Sequence, residues 1–277
     1  ASRPCARMMM KNLRSCCFKY ARSFGREDMV TTGTIIEGKP RPFKHCRPSS
    51  TVASREHKSA SSYASAGSPA GVDLNLWTFN LRTSSRSERD GINGWPHRRE
   101  AVVKMIQKYN ADIVATQEGR IQQLEYLDEA LESFRWIGCC RNGTHEDEHC
   151  AIFFNKEKFT LIQEETIWLS ETPHIEGSVG WDGAKARIAT WVLLGLVQGE
   201  KEQGHHYPLQ ICIVNTHLDH VGVRAREESA KALLSLVDRL QQKFPEAFIA
   251  LAGDFNSVKS NNKVYETLAR GGGGGGG

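Results

Sequence analysis

Apolar and polar positions fall into regular patterns only from Val72 onward. Residues 72–80, Val-Asp-Leu-Asn-Leu-Trp-Thr-Phe-Asn, alternate enough to predict a half-buried strand, and 84–93 reads as a polar loop. Pro96 suits a first helical turn. Ala101, Val102, Met105, Ile106 and Tyr109 then recur at helical spacing, with Asn110 as a stop. A short strand at 112–116 and a helix at 121–131 follow, then strands near 134–138, 150–154, 159–169, 187–197 and 209–215. The longest predicted helix spans 224–243, its buried stripe formed by Ala230, Leu233, Leu234, Val237 and Leu240. Residues 248–252 are continuously apolar, which predicts a strand covered on both faces and ending at Gly253. A last helix starts at Lys263. Strands interleaved with helices, with hairpin-like segments between them, indicate an α/β or α+β layered domain.

Before Val72 the pattern is different. Residues 1–26 hold seven basic side chains and no acidic one, with Arg3, Arg7, Lys11, Arg14, Arg22 and Arg26 on one face of a notional helix and Met9, Leu13, Tyr20 and Phe24 on the other. A Ser-rich stretch follows. This composition suits an organellar transit peptide or, equally, a disordered basic tail or sequence upstream of the true start. Residues 1–71 are therefore expected to be a disordered arm, 72–270 the domain and 271–277 a glycine tail with no apolar surface to offset its backbone entropy.

Charge follows the same division. Residues 1–72 carry 13 Lys/Arg against 4 Asp/Glu, and the remainder 23 against 28, so the overall +4 hides a basic arm on an acidic domain. A generally basic nucleic-acid surface is excluded for the domain. Eight cysteines contain no Cys-x-x-Cys pair, and Cys150 and Cys212 sit in apolar runs, which points to reduced core residues and an intracellular compartment, cytoplasmic or organellar. No membrane span is expected, and the chain is expected to be a monomer.

Polar residues gather where the predicted strands end: Asn80, Gln117-Glu118, His217-Leu218-Asp219-His220 and Asp254-Phe255-Asn256. Side chains at one sheet edge are both rigidly mounted and accessible. A carboxylate beside amides, without a cysteine cluster, suits a hard cation such as Mg²⁺ or Mn²⁺ that shares its ligands with phosphate oxygens. Glu118 is the natural metal ligand with Asn80 beside it, Asp254 can orient or deprotonate water, and His217 and Asn256 can donate to phosphate. Each has a plainer alternative: Asp254 and Asn256 as a turn or cap, Glu118 at a helix start, His217 as a satisfied core histidine.

The ordered set Thr78-Phe79-Asn80-Leu81-Arg82, Thr116-Gln117-Glu118, Asn215-Thr216-His217-Leu218-Asp219-His220 and Gly253-Asp254-Phe255-Asn256 strongly resembles the endonuclease/exonuclease/phosphatase family. Trp95-Pro96-His97-Arg98, His149 to Phe154, Trp168 to Pro173 and Arg187 to Trp191 extend the likeness to a branch related to the carbon-catabolite-repressor deadenylases and nocturnin. The resemblance covers roughly residues 73–270. It implies a four-layer sandwich of two β-sheets flanked by helices and Mg²⁺-assisted attack of water on a phosphoester. By position, Asn80 and Glu118 belong to the metal site, His217 stabilises the phosphate, Asp254 aligns the water and Asn256 supports the phosphate. Arg187, Asn215 and Trp95 are carried over as substrate-binding candidates, Arg187 having the alternative of a strand-edge arginine. Family members end on a further strand and a Ser-Asp-His motif, whereas only glycine follows Arg270. The sequence is therefore expected to be C-terminally truncated and weak in turnover. The first expectation for substrate is RNA or a nucleotide, cleaved in the manner of an RNA 3′-exonuclease, with Trp95, Trp181, Arg98, Arg99 and Arg187 as groove candidates. A small-molecule hydrolase of sugar-phosphate type is the alternative, and a fragment that at most binds metal or phosphate is the third.

Overall fold

Successive side chains on a strand face opposite ways, so a continuously apolar strand needs cover on both sides. Two mixed sheets stacked face to face, with helices outside each, supply it. The computed structural model describes residues 8–10, 14–15, 22–24, 72–197, 209–257 and 263–270. Its elements are β1 (Met8–Met10), β2 (Arg14–Ser15), β3 (Arg22–Phe24), β4 (Val72–Leu74), β5 (Leu76–Asn80), α1 (Ser87–Asp90), α2 (Trp95–Lys108), β6 (Ile113–Gly119), α3 (Ile121–Ala130), β7 (Phe134–Ile137), β8 (His149–Asn155), β9 (Phe159–Trp168), β10 (Ile188–Leu196), β11 (Gln210–His217), α4 (Val223–Lys243), β12 (Phe248–Asp254) and α5 (Lys263–Arg270). One sheet runs β2-β5-β6-β8-β7 and the other β3-β12-β11-β10-β9, while β1 pairs with β4.

The layers can be read from β10. Val192 and Leu194 face inward, meeting Leu76, Ile113, Ile152, Phe154, Ile211 and Ile213 between the sheets. Trp191 and Leu193 face outward against Leu233, Leu236, Val237 and Leu240 of α4 and Val264 and Leu268 of α5. On the far side of the other sheet, Trp77, Val114 and Phe153 pack on Val102 and Ile106 of α2 and Leu124 and Leu127 of α3. Full burial of each Leu- or Phe-sized side chain stabilises by roughly 1.5–3 kcal/mol, so this three-layer apolar packing drives the fold. The architecture is the four-layer α/β/β/α sandwich expected from the sequence.

Three local readings differ. The polar loop at 84–93 is wound into a 3-10 turn (Ser84–Arg86), α1 and a second 3-10 turn (Gly91–Asn93). Side chains fix it where periodicity cannot: Gln123 Oε1 accepts the Ser84 N–H (2.8 Å) and Ser87 Oγ accepts the Trp95 N–H (3.2 Å). Two strands run longer than their apolar stretches, β6 to Gly119 and β11 to His217, because ladder pairing continues through polar residues. In the basic arm, the described positions are extended rather than helical and they pair: β1 with β4, β2 with β5 and β3 with β12. Unpaired backbone groups on outer strands give the physical reason for the pairing of those eight residues. The rest of the arm and the glycine tail lie outside the described residues. Among the described residues, no helix is long and apolar enough to cross a membrane.

Candidate active site

Parallel neighbours end on the same sheet edge, and two such pairs build the site. In one sheet β5 and β6 place Asn80 opposite Gln117, and in the other β11 and β12 place His217 opposite Asp254. Asn80, His217 and Asp254 are thus the last residues of their strands rather than the first residues of loops. Glu118 lies inside β6, where the register with β8 shifts between Thr116 and Gly119 and its own φ is +60°. A bulge of this kind re-aims a side chain that strict alternation would commit to one face.

The aimed groups form one continuous hydrogen-bonded chain. Asn80 Nδ2 donates to Glu118 Oε1 (2.8 Å) and to Asp254 Oδ2 (3.0 Å), so a single amide nitrogen joins carboxylates from the two sheets. Asp254 Oδ1 accepts the Asn256 N–H (3.1 Å), and Asn256 Nδ2 donates to the Leu218 carbonyl (2.8 Å) and lies 3.0 Å from His217 Nε2. The structure therefore brings Asn80, Glu118, His217, Asp254 and Asn256 together. Gly253 makes the last turn possible: a Cβ there would lie 2.2 Å from the Thr216 carbonyl oxygen.

Burial pushes the Glu118 carboxyl up, but the Asn80 and Thr83 hydrogen bonds, with His217 and Arg82 nearby, more than offset it and hold the pKa below the ordinary value. The balance favours the ionised form of Glu118, and Asp254 faces it across one amide. Two carboxylate oxygens so placed could both serve a hard divalent ion that keeps waters and takes its remaining ligands from a phosphate. No group of three or more His, Cys, Asp or Glu able to hold a metal occurs among the described residues.

Beyond Glu118 and His217 a cleft continues, lined by Arg141, Glu148, His149 and Arg187 among others. Arg187 is buried just before β10, its Nε 3.4 Å from Asp219 Oδ2 and its Nη2 3.1 Å from His220 Nδ1. Asp219 also accepts the Ala184 and Lys185 N–H groups (both 3.2 Å) and those of Val221 (2.9 Å) and Gly222 (2.7 Å). Burial alone would raise the Asp219 carboxyl, but these donors and Arg187 hold it far below the usual range. Glu148 goes the other way: burial outweighs the neighbouring Arg141 and raises its pKa.

Two other sequence-derived candidates sit elsewhere. Trp95 is only 6% exposed, packed edge-on against Tyr126. Asn215 is fully buried between the sheets, where Oδ1 accepts from Gln117 Nε2 (2.7 Å) and Nδ2 donates to the carbonyls of Thr116 (2.8 Å) and Ala151 (3.0 Å). Neither presents a side chain to the carboxylate pair. Conversely, Gln123 was missed: its amide accepts from Ser84 and Arg120 and donates to the Arg82 carbonyl, bracing the segment whose Thr83 N–H holds Glu118. Its only sequence signal is a glutamine in the first turn of α3, a common place to bond a helix N-terminus.

Comparison with known proteins adds to this geometry. The model of the Endonuclease/Exonuclease/phosphatase family matches residues 75–276. A solved structure of a mannosyl-6-phosphatase from Bacteroides thetaiotaomicron is 34% identical, with a TM-score of 0.62 over 70% of this chain and 69% of that one. A "Probable CCR4-Not complex 3′-5′-exoribonuclease subunit Ccr4" of Encephalitozoon cuniculi is 27% identical over 72% of this chain, which spans only 43% of that relative's length. The human nocturnin catalytic domain, at 21% identity and a TM-score of 0.53, shares the fold.

Proposed function

The chain belongs to the endonuclease/exonuclease/phosphatase family, a family of phosphoester hydrolases, and we propose that it is a divalent-cation-dependent hydrolase of small phosphoesters, of the sugar-phosphate type. The observation that carries the hydrolytic part is the Asn80 amide shared between Glu118 and Asp254. Glu118, with Asn80 beside it, would hold a Mg²⁺ or Mn²⁺ ion, whose chemistry is to neutralise charge on the phosphoryl oxygens. Asp254 orients the attacking water and takes its proton as the new oxygen–phosphorus bond forms and the ester bond breaks. His217, its ring located by Asn256, and the Asn256 amide itself stabilise the non-bridging oxygens.

The choice of a small substrate over RNA rests on where three of the five groove candidates, Trp95, Arg98 and Arg99, point. Trp95 is buried, Arg98 lies over the Trp95 ring (5.3 Å) and Arg99 over the Tyr126 ring (4.6 Å). Those groups hold the α2–α3 face together and offer no stacking platform for successive bases. The 34% identity to a mannosyl-6-phosphatase supports the same choice. An RNA 3′-exonuclease remains the second reading, favoured by the likeness to Ccr4. The test is direct: with Mg²⁺, the protein should release inorganic phosphate from hexose 6-phosphates and leave a 3′-labelled oligoribonucleotide intact, and chelator should stop the release. Shortening of the RNA without phosphate release from the sugar esters would replace the first reading with the second.

A further inference from the structure

A carboxylate outside the reacting cluster faces the same cleft. Glu148 stands immediately before β8, and its Oε2 accepts from Arg141 Nη1 at 2.6 Å. Arg141 is in turn fastened to Asp147 by two bonds, Nε to Oδ2 (3.1 Å) and Nη2 to Oδ1 (3.0 Å), so the Glu148 carboxylate is mounted on a largely buried support. Arg187 faces the same cleft and is mounted independently, through Asp219 and His220. Glu148 and Arg187 line this cleft together, Glu148 paired with Arg141 and Arg187 with Asp219. Glu118 and His217 line the same space.

A fixed acceptor and a fixed donor, each held by its own partner, are suited to a ligand offering both functions at short spacing. A hydroxyl group is both donor and acceptor, and neighbouring hydroxyls present the two roles side by side. Resting on the small-phosphoester reading, we propose that Glu148 and Arg187 form a hydroxyl-recognition subsite, which binds a polyhydroxylated leaving group next to the scissile phosphoester. Glu148 accepts from one hydroxyl and Arg187 donates to its neighbour. Charged partners make these among the stronger neutral-ligand hydrogen bonds, so the pair discriminates against substrates without hydroxyls.

The test compares glucose 6-phosphate with cyclohexylmethyl phosphate, which keeps the six-membered ring and the phosphate but has no hydroxyls. Binding to the full chain is measured by calorimetry in the presence of Ca²⁺, with inorganic phosphate as a third ligand and a thermal melt of each variant as the folding control. The parent should prefer the sugar ester by tenfold or more. Glu148→Gln, which keeps the shape and loses the charge, and Glu148→Ala should each erase most of that preference while inorganic phosphate binds as before. A merely structural role for Glu148 would weaken all three ligands together and overturn the proposal, as would an unchanged preference in both variants. Equal binding of the two esters by the parent, with phosphate binding intact, overturns the subsite alone. Failure of the parent to bind any of the three overturns the phosphoester reading and the subsite with it.

Discussion

Replacing Asn215 with alanine separates a structural role from a substrate-binding one. Its amide makes three hydrogen bonds in the fully buried seam between the sheets, to Gln117, Thr116 and Ala151. Each bond has a net value of about 0.5–1.5 kcal/mol, and a group left unpaired there adds to the loss. The loss is softened because Gln117 Nε2 keeps bonds to Thr78 Oγ1 and the Ala115 carbonyl, and the Ala151 carbonyl keeps one from Thr116 Oγ1. Gln117 Oε1 already lacks a donor, so the seam has no spare donor for the Thr116 and Ala151 carbonyls that Asn215 would leave. Together these give a destabilisation of about 2–4 kcal/mol, or roughly 5–15 °C in melting temperature for a domain of this size. Calorimetric melting and urea titration measure it, and a cycle with Gln117→Ala should show a coupling of about 1 kcal/mol or more between the two residues. If Asn215→Ala melted within a degree or so of the parent while losing affinity for phosphate esters, the seam would not depend on Asn215 and the residue would belong to the substrate.

Four further outcomes follow from the same geometry. Gly253→Ala should destabilise by more than about 2 kcal/mol, since its Cβ would overlap the Thr216 carbonyl, and should reduce hydrolysis by displacing Asp254; an unchanged urea midpoint would contradict the close approach. In the parent, saturating Mg²⁺ should raise the melting temperature and chelator should reverse it, whereas Glu118→Gln should abolish the shift; a shift that survives the substitution moves the cation elsewhere. Because the folded Glu118 pKa lies below its ordinary value, the ionised form contributes stability that is complete above that ordinary value and lost as pH falls through the folded one. The stability difference between the parent and Glu118→Gln should therefore shrink from about pH 6 to about pH 3, and a constant gap would remove the charge from the argument. Asp219→Asn should cost about 2–4 kcal/mol, since one oxygen becomes a donor among backbone N–H groups and Arg187, and should raise KM for sugar esters more than it lowers kcat; the reverse split would place Asp219 in the chemistry.

Much of the layer architecture was legible from local pattern. The continuous apolar run of β12 demanded cover on both faces, and the spacing of Ala230, Leu233, Val237 and Leu240 demanded a helix, so the stacked sheets followed from residues that act on their neighbours. The strand-end residues were also legible, because strands of one parallel pair end together. What escaped depends on contacts between residues distant in sequence. Nothing local shows that Asn215 faces Gln117, 98 positions away, or that Gln123 braces a loop 39 positions earlier. Trp95 is the same case: an aromatic at a helix start looks available until Tyr126 of the next helix is seen against it. The short turns of 84–93 are held by side-chain bonds without a hydrophobic stripe, so periodicity gave no sign of them.

The bulge at Glu118 bears on how this strand can change in length. Residues before it alternate between the inter-sheet core and the helix layer, as Ile113 and Val114 do, and Glu118 reaches its partners only because the ladder skips between Thr116 and Gly119. Deleting one residue from 117–119 would let the pairing with β8 close regularly, and side chains downstream of the deletion would exchange faces. Such a chain could keep its sheets and its apolar packing while turning the carboxylate away from Asn80. Here the spacing of the strand is as much a requirement of the site as the glutamate, and a survey of tolerated insertions and deletions should find this segment far less permissive than the solvent-facing turns of 84–93.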